Sequence, residues 1–336
     1  MAYEKLSTAL YSVFNSINDD KCVSRVCRGY IQFGSEYEYY PQKENIAYHR
    51  LTSYNPYIRF SYRPQDSDWT YSGRILLKEY PYKNDYNNKV STSQSGLYEL
   101  YATNYIKSGN FIFRPGIGFR IIPYDKANYY GERYERQLRI LPQFDYLLTQ
   151  DSRFYLNGFF YIADSKGSRK NDRTTDPYNN GECKASDANA FGFCSKKYSD
   201  WGYEFDAGVR HNINSTNSVA LGVHTEFDDV TNNYDDQLIQ GTLDYQYRTG
   251  KLTLGPYVRI ALDRSIKLKS EKNPASNITL KQIYNRYGLR ANYSFNGRWS
   301  MGAETYYQEE KMQDQSGNDM QSRQKWFYKL NVQYNF

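Results

Sequence analysis

The chain ends in Trp326-Phe327-Tyr328-Lys329-Leu330-Asn331-Val332-Gln333-Tyr334-Asn335-Phe336. Trp326, Tyr328, Leu330, Val332, Tyr334 and Phe336 share one parity, while Lys325, Lys329, Asn331, Gln333 and Asn335 share the other, with Phe327 the single apolar exception. Side chains alternate across a strand, so one face of this segment meets an apolar medium and the other meets water. Its length, its terminal Phe and the aromatics near both ends are those of a transmembrane barrel strand.

Working back from this strand, segments of the same alternating character recur to about residue 30. They lie near 30–40, 54–64, 70–81, 95–107, 110–123, 132–149, 153–164, 200–213, 217–229, 236–249, 251–264, 281–295, 298–311 and 324–336, which makes fourteen. Short turn-like connections (Lys107-Ser108-Gly109-Asn110, Arg248-Thr249-Gly250-Lys251, Phe295-Asn296-Gly297-Arg298) alternate with longer ones, of which 165–199 is the extreme. Short turns on the periplasmic side, long loops outside and an even count predict an all-β, antiparallel up-and-down transmembrane barrel in the bacterial outer membrane. Pro56, Pro115, Pro142 and Pro256 fall inside these strands. A closed barrel has no edge to tolerate them, so bulges or lost ladder bonds are expected there.

Composition fits this reading and excludes others. No stretch approaches the roughly 20 apolar residues of a spanning helix. Tyrosine, 38 of 336 residues, outnumbers leucine, as expected of strands that must satisfy lipid, interface and water together. A soluble all-β sandwich is the alternative. The net charge of +6 is a small excess over 37 acidic residues, and no basic cluster marks a nucleic-acid groove. Met1-Ala2-Tyr3-Glu4-Lys5 lacks the basic start and apolar core of a secretory signal, so the chain is expected to be a mature one. The four cysteines form two local pairs, Cys22 with Cys27 and Cys183 with Cys194. The topology puts these pairs on opposite sides of the membrane, which leaves local disulfides as the reachable pairing. No histidine stands near either pair to suggest zinc, and nothing calls for a metal or a cofactor.

Inward parity collects charge of both signs. Arg59, Arg74, Arg114, Arg120 and Arg139 are prominent in the first half and acids concentrate between Glu204 and Asp244, with Asp145 before them and Arg259 and Asp263 further on. So many charges either pair completely or are solvated by a water-filled bore, and fourteen strands is wide enough for the bore. Mixed signs predict little selection by net charge. Tyr57, Tyr101, Tyr155, Tyr161, Tyr257 and Tyr284 also point inward. They either pack against arginine stems or offer ring faces to sugars, whose hydroxyls the neighbouring charges would bond. These two groups of residues are the candidate substrate-binding set.

Residues 1–29 precede the barrel, and Leu6, Leu10, Val13 and Ile17 fit one helical stripe. The segment is either a disordered tail or a tethered plug that enters the pore from the periplasmic side.

The run Leu141-Pro142-Gln143-Phe144-Asp145-Tyr146-Leu147-Leu148-Thr149-Gln150-Asp151-Ser152-Arg153-Phe154, the segment Pro256-Tyr257-Val258-Arg259-Ile260-Ala261-Leu262-Asp263-Arg264, and the stretch from Asn285-Arg286-Tyr287-Gly288-Leu289 to Phe336 resemble the OmpG-type monomeric porins over about residues 30–336. Within that group the length, the extension and the tyrosine-rich interior look most like the cyclodextrin porin. The resemblance implies a monomeric fourteen-stranded pore that passes cyclic oligosaccharides, with outer-membrane lipid around it and a mobile N-terminus in the bore. The extension and the 165–199 loop depart from the OmpG pattern.

Two other functions are weighed against passive diffusion, besides a general porin with no sugar preference. A barrel hydrolase would need a histidine base from His49, His211 or His224, and the sequence sets no nucleophile beside any of them. A surface adhesin would act through its long loops. The reading favoured is a channel and not an enzyme.

Overall fold

The computed structural model describes residues 29–39, 48–50, 52–64, 67–84, 89–124, 133–170, 193–230, 234–268, 278–313 and 319–336. Fourteen long strands form a closed, all-antiparallel barrel: β1 (Gly29–Tyr39), β2 (Thr52–Tyr62), β3 (Trp69–Asn84), β4 (Lys89–Asn104), β5 (Phe111–Tyr124), β6 (Arg133–Leu147), β7 (Ser152–Lys170), β8 (Phe193–Asn212), β9 (Asn217–Val230), β10 (Tyr234–Thr249), β11 (Leu252–Leu268), β12 (Ile278–Ser294), β13 (Trp299–Gln313) and β14 (Asp319–Asn335). Tyr48–Arg50 and Ile106–Ser108 are three-residue pieces that pair with β3 and β5. Each long strand pairs with its neighbours in sequence. The terminal segment closes the ring on β1, from Tyr30 opposite Asn335 to Tyr39 opposite Trp326. The strand count agrees with the sequence; β7 and β8 run beyond the expected 153–164 and 200–213 on the long-loop side.

The short connections carry recognisable turn chemistry. Gly109 and Gly250 adopt φ of 55° and 52°, a left-handed conformation that glycine takes without a side-chain penalty. Asn296 Oδ1 accepts from the backbone N–H groups of Arg298 and Trp299, Asn214 Oδ1 from those of Thr216 and Asn217, and Thr149 Oγ1 from those of Asp151 and Ser152. A side-chain acceptor thus holds three of these turns.

The outer wall is apolar, with aliphatic residues between two aromatic belts. Near the turns stand Trp69, Phe111, Tyr293, Trp299 and Phe336, all exposed; near the long loops, Tyr37, Tyr54, Trp201, Trp326 and Tyr328. Between them lie Ile58, Leu100, Ile140, Leu221 and Leu330, from 41% to 68% exposed. The ten residue-to-residue steps from Trp326 to Phe336, at about 3.3 Å each and tilted by about 40°, span roughly 25 Å, the height of a lipid-facing band. This is a bacterial outer-membrane barrel.

The prolines break the ladder as their missing N–H requires. Pairing between β2 and β3 lapses between Tyr54–Glu79 and Tyr57–Leu76, around Pro56. Pairing between β6 and β7 lapses between Ile140–Phe160 and Phe144–Leu156, around Pro142, and pairing between β10 and β11 lapses beside Pro256. The β4–β5 ladder stops at Thr103–Gly116, next to Pro115.

One irregularity corrects the sequence reading. Gln240 faces Ala261 but Ile239 faces Asp263, so Leu262 is an extra residue on β11. Beyond it odd and even exchange faces: Asp263 is exposed on the outer side, and Arg264 turns inward to Asp236 at 2.8 Å.

The proposed plug, residues 1–29, lies outside the described residues except for Gly29, the first residue of β1. Cys22, Cys27 and Cys183 also lie outside them, and Cys194 is described only by its backbone, opposite Arg169. His49 is described only as a backbone pair of Lys83.

Candidate functional site: the barrel interior

All fourteen candidate residues lie on inward parity. Tyr57, Arg59, Arg74, Arg114, Arg120, Arg139, Asp145, Tyr155, Tyr161, Glu204, Tyr257 and Tyr284 are buried, whereas Tyr101 and Asp244 keep part of their surface. The charges therefore do not stand solvated in a bore, which is what the sequence leads one to expect. They lie along the wall and pair laterally, because arginine and glutamate stems are long enough to reach carboxylates and guanidinium groups one to three strands away.

These pairs dissolve the sign segregation seen in the sequence. Glu36 Oε1 is 2.6 Å from Arg74 Nη2 and 3.8 Å from Lys329 Nζ. Glu99 lies 3.4 Å from Arg139 and 3.8 Å from Arg120. Arg114 reaches Asp145 at 2.7 Å and donates to Asn157 Oδ1 at 3.2 Å. On the acidic side Arg290 bridges Asp244 at 3.0 Å and Glu304 at 3.2 Å. Each arginine of the first half that has a resolved ion pair is answered by a carboxylate nearby, so the transverse field implied by rows of one sign is largely cancelled locally.

The tyrosines have a structural partner that parity alone does not disclose. Tyr57 is paired across strands with Gly34, Tyr101 with Gly118, Tyr155 with Gly208, Tyr161 with Gly202 and Tyr257 with Gly288. A Cβ on Gly288 would come within 2.2 Å of Tyr257 Cζ, and one on Gly34 within 2.4 Å of Tyr57 Cζ. Each side chain thus lies down on the wall over the bare backbone of a glycine, and the hydroxyls of Tyr57, Tyr101, Tyr161 and Tyr257 are tied to polar neighbours. Tyr161 donates to Asp228 at 2.6 Å and Tyr257 to Glu304 at 2.9 Å, while Tyr101 accepts from Arg139 at 2.6 Å. Tyr284 differs, since it faces Glu310 and carries Arg264 and Arg286 over its ring. Phe327, the exception in the closing strand, stacks on its cross-strand partner Tyr306 at 4.5 Å.

Cations cover the remaining ring faces. Arg139 sits 4.1 Å above Phe159, Arg290 3.9 Å above Tyr257 and Arg286 4.3 Å above Tyr306. Ring, cation and carboxylate form a repeating unit around the inner wall.

Sequence reasoning missed three features. Arg264 was hidden by the bulge. Ser152 Oγ and His211 Nδ1 meet at 2.8 Å beside the turns, a pairing across β7 and β8 that needs the register to be seen. His224, completely buried, spends both ring nitrogens on carboxylates, Nδ1 at 3.0 Å from Asp206 and Nε2 at 2.6 Å from Glu226, which leaves neither for a serine or cysteine nucleophile.

No protein-family model and no curated protein matches the chain. Its fold does match known structures. The Pseudomonas putida toluene transporter TodX is 10% identical, with 92% of this chain and 90% of that chain covered and a TM-score of 0.53. A Pseudomonas aeruginosa FadL homologue is 11% identical, with 92% and 90% covered and a TM-score of 0.51. At this identity the likeness shows the fold. It supports a porin-like outer-membrane barrel and does not single out the OmpG-type or cyclodextrin porins.

Proposed function

We propose that this barrel is a monomeric outer-membrane channel for passive diffusion of polar solutes, with bulky neutral oligosaccharides, cyclodextrins among them, as the solute class. The observation that supports it is the inner wall itself, where aromatic rings alternate with charged hydrogen-bonding groups while the outer wall is apolar. Such a lining offers weak, replaceable contacts to hydroxyl-rich solutes, and transport needs contacts strong enough for entry and weak enough for exit. A toluene-like solute, as in the name of TodX, would have to leave membrane or water for a wall of buried ion pairs and would gain little there. A solute can touch only groups that keep some surface, which selects Tyr101 and Asp244 from the candidate set as its first contacts.

Single-channel recording in planar bilayers, with linear and cyclic glucans added to each side in turn, tests this reading. Transient, concentration-dependent blocks are expected, with shorter residence in Tyr101→Ala. A conducting channel that no glucan blocks would leave a general porin without sugar preference.

A further inference from the structure

We infer that Glu204, His224 and Glu226 form a binding site for one divalent transition-metal ion of the zinc type, built into the inner wall between β8 and β9. The site is independent of which solute the channel passes.

Register brings the three together. Glu204 is the direct cross-strand partner of Glu226, and His224 is the partner of Asp206, two residues along on the same face. Two carboxylates directly opposite each other repel, and burial increases the cost of leaving them so. The ligand atoms of Glu204, His224 and Glu226 all lie within 4.8 Å of one another. Two atoms bound to a tetrahedral zinc at about 2.0–2.1 Å are about 3.3 Å apart. The 2.6 Å between His224 Nε2 and Glu226 Oε1 therefore needs to open by well under 1 Å, within the reach of a glutamate rotamer.

Two further observations point to a ligand. Glu204 is only 8% exposed, and among the described residues its carboxylate makes no hydrogen bond and no ion pair, although it is aimed at the imidazole and at Glu226. Beside it lies a cavity of about 20 Å³ lined by Glu204, Glu226 and Asp228, enough for one water and so for a fourth ligand. The three arginines on this cavity have carboxylates other than Glu204 and Glu226 within reach, Arg120 and Arg139 sharing Glu99 and Arg264 holding Asp236.

Asp206 prepares the histidine. Its carboxylate accepts from Nδ1 at 3.0 Å and fixes the ring so that Nε2 points at the two glutamates; the Nε2 proton that bonds Glu226 is the one a metal ion would displace, and Arg259, 3.7 Å from Asp206, holds the Asp206 carboxylate in turn. One nitrogen and two carboxylate donors with room for a water suit zinc, whereas calcium and magnesium prefer oxygen cages of six or more.

The folded barrel, stripped with chelator, is titrated with Zn²⁺ by calorimetry and with Co²⁺ by visible absorption, and its integrity is checked by heat-modifiable gel migration. One equivalent is expected, with the absorption of tetrahedral cobalt in a nitrogen and oxygen field. His224→Ala and Glu204→Gln should each weaken binding at least about tenfold, and Asp206→Asn about 10–100-fold. Glu226→Gln serves in place of either variant that does not migrate as a folded barrel. Absence of stoichiometric binding, binding unchanged by the variants, or the thiolate charge-transfer band of a cysteine site would each overturn the assignment.

Discussion

Tyr257 shows what the inward tyrosines do before any solute arrives. Its ring covers Gly288 on the next strand, its hydroxyl bonds Glu304, and Arg290 covers its other side. The pairing makes two substitutions unequal in a way that a free stacking residue would not. Gly288→Ala forces a methyl into the space of the ring and is expected to cost about 1–3 kcal/mol through overpacking. Tyr257→Phe keeps the ring and loses one bond to a carboxylate that Arg290 still holds, at about 1 kcal/mol. Denaturant midpoints of heat-modifiable migration measure both, and equal effects would remove the packing role. The inward parity of Tyr257 was legible in the sequence. Its partner was not, because a glycine opposite a tyrosine becomes visible only when the register between two strands is known.

β14 and β11 separate what alternation can foretell from what it cannot. β14 alternates through an unbroken ladder from Tyr334 to Gln321, and the sequence alone predicts its two faces. β11 carries Leu262 as an extra residue, and nothing in Ile260-Ala261-Leu262-Asp263 announces which residue is the bulge. The prolines were legible for a simple reason: a residue without an N–H cannot complete a ladder wherever it stands. These differences predict opposite outcomes for two single-residue deletions. Removing Leu262 lets β11 pair continuously while Arg264 still faces Asp236, so the barrel should assemble with wild-type yield. Removing Leu330 turns either Lys325, Phe327 and Lys329 or the Asn331-to-Asn335 set toward lipid; a lysine at the bilayer midplane costs about 2–4 kcal/mol, and folding yield should collapse. Folding into detergent micelles, followed on gels, compares the two directly. A third variant tests the turns, since Asn296→Ala removes the acceptor of two backbone N–H groups and should cost about 1 kcal/mol.

The closed ring turns these local devices into a tube whose inner charges answer one another. The sequence gives the signs and the facing of Arg114 and Asp145 but not their 2.7 Å contact, because pairing depends on where strands lie beside each other and how long stems fold along the wall. A wall neutralised pair by pair predicts weak ion selectivity, with a reversal potential near zero in a potassium chloride gradient. Asp145→Asn removes the carboxylate from Arg114 and leaves Asn157 as its described partner. The uncompensated guanidinium should move the reversal potential toward chloride. It should also destabilise the barrel by as much as about 3–5 kcal/mol, the cost of breaking a buried pair from one side. Replacing both residues, Arg114→Met with Asp145→Leu, removes the charge and its counter-charge together and should restore both stability and the near-zero potential. A reversal potential that stays put in Asp145→Asn would mean that ions do not pass this part of the wall, and the inner charges would then have to be read as structural cement alone.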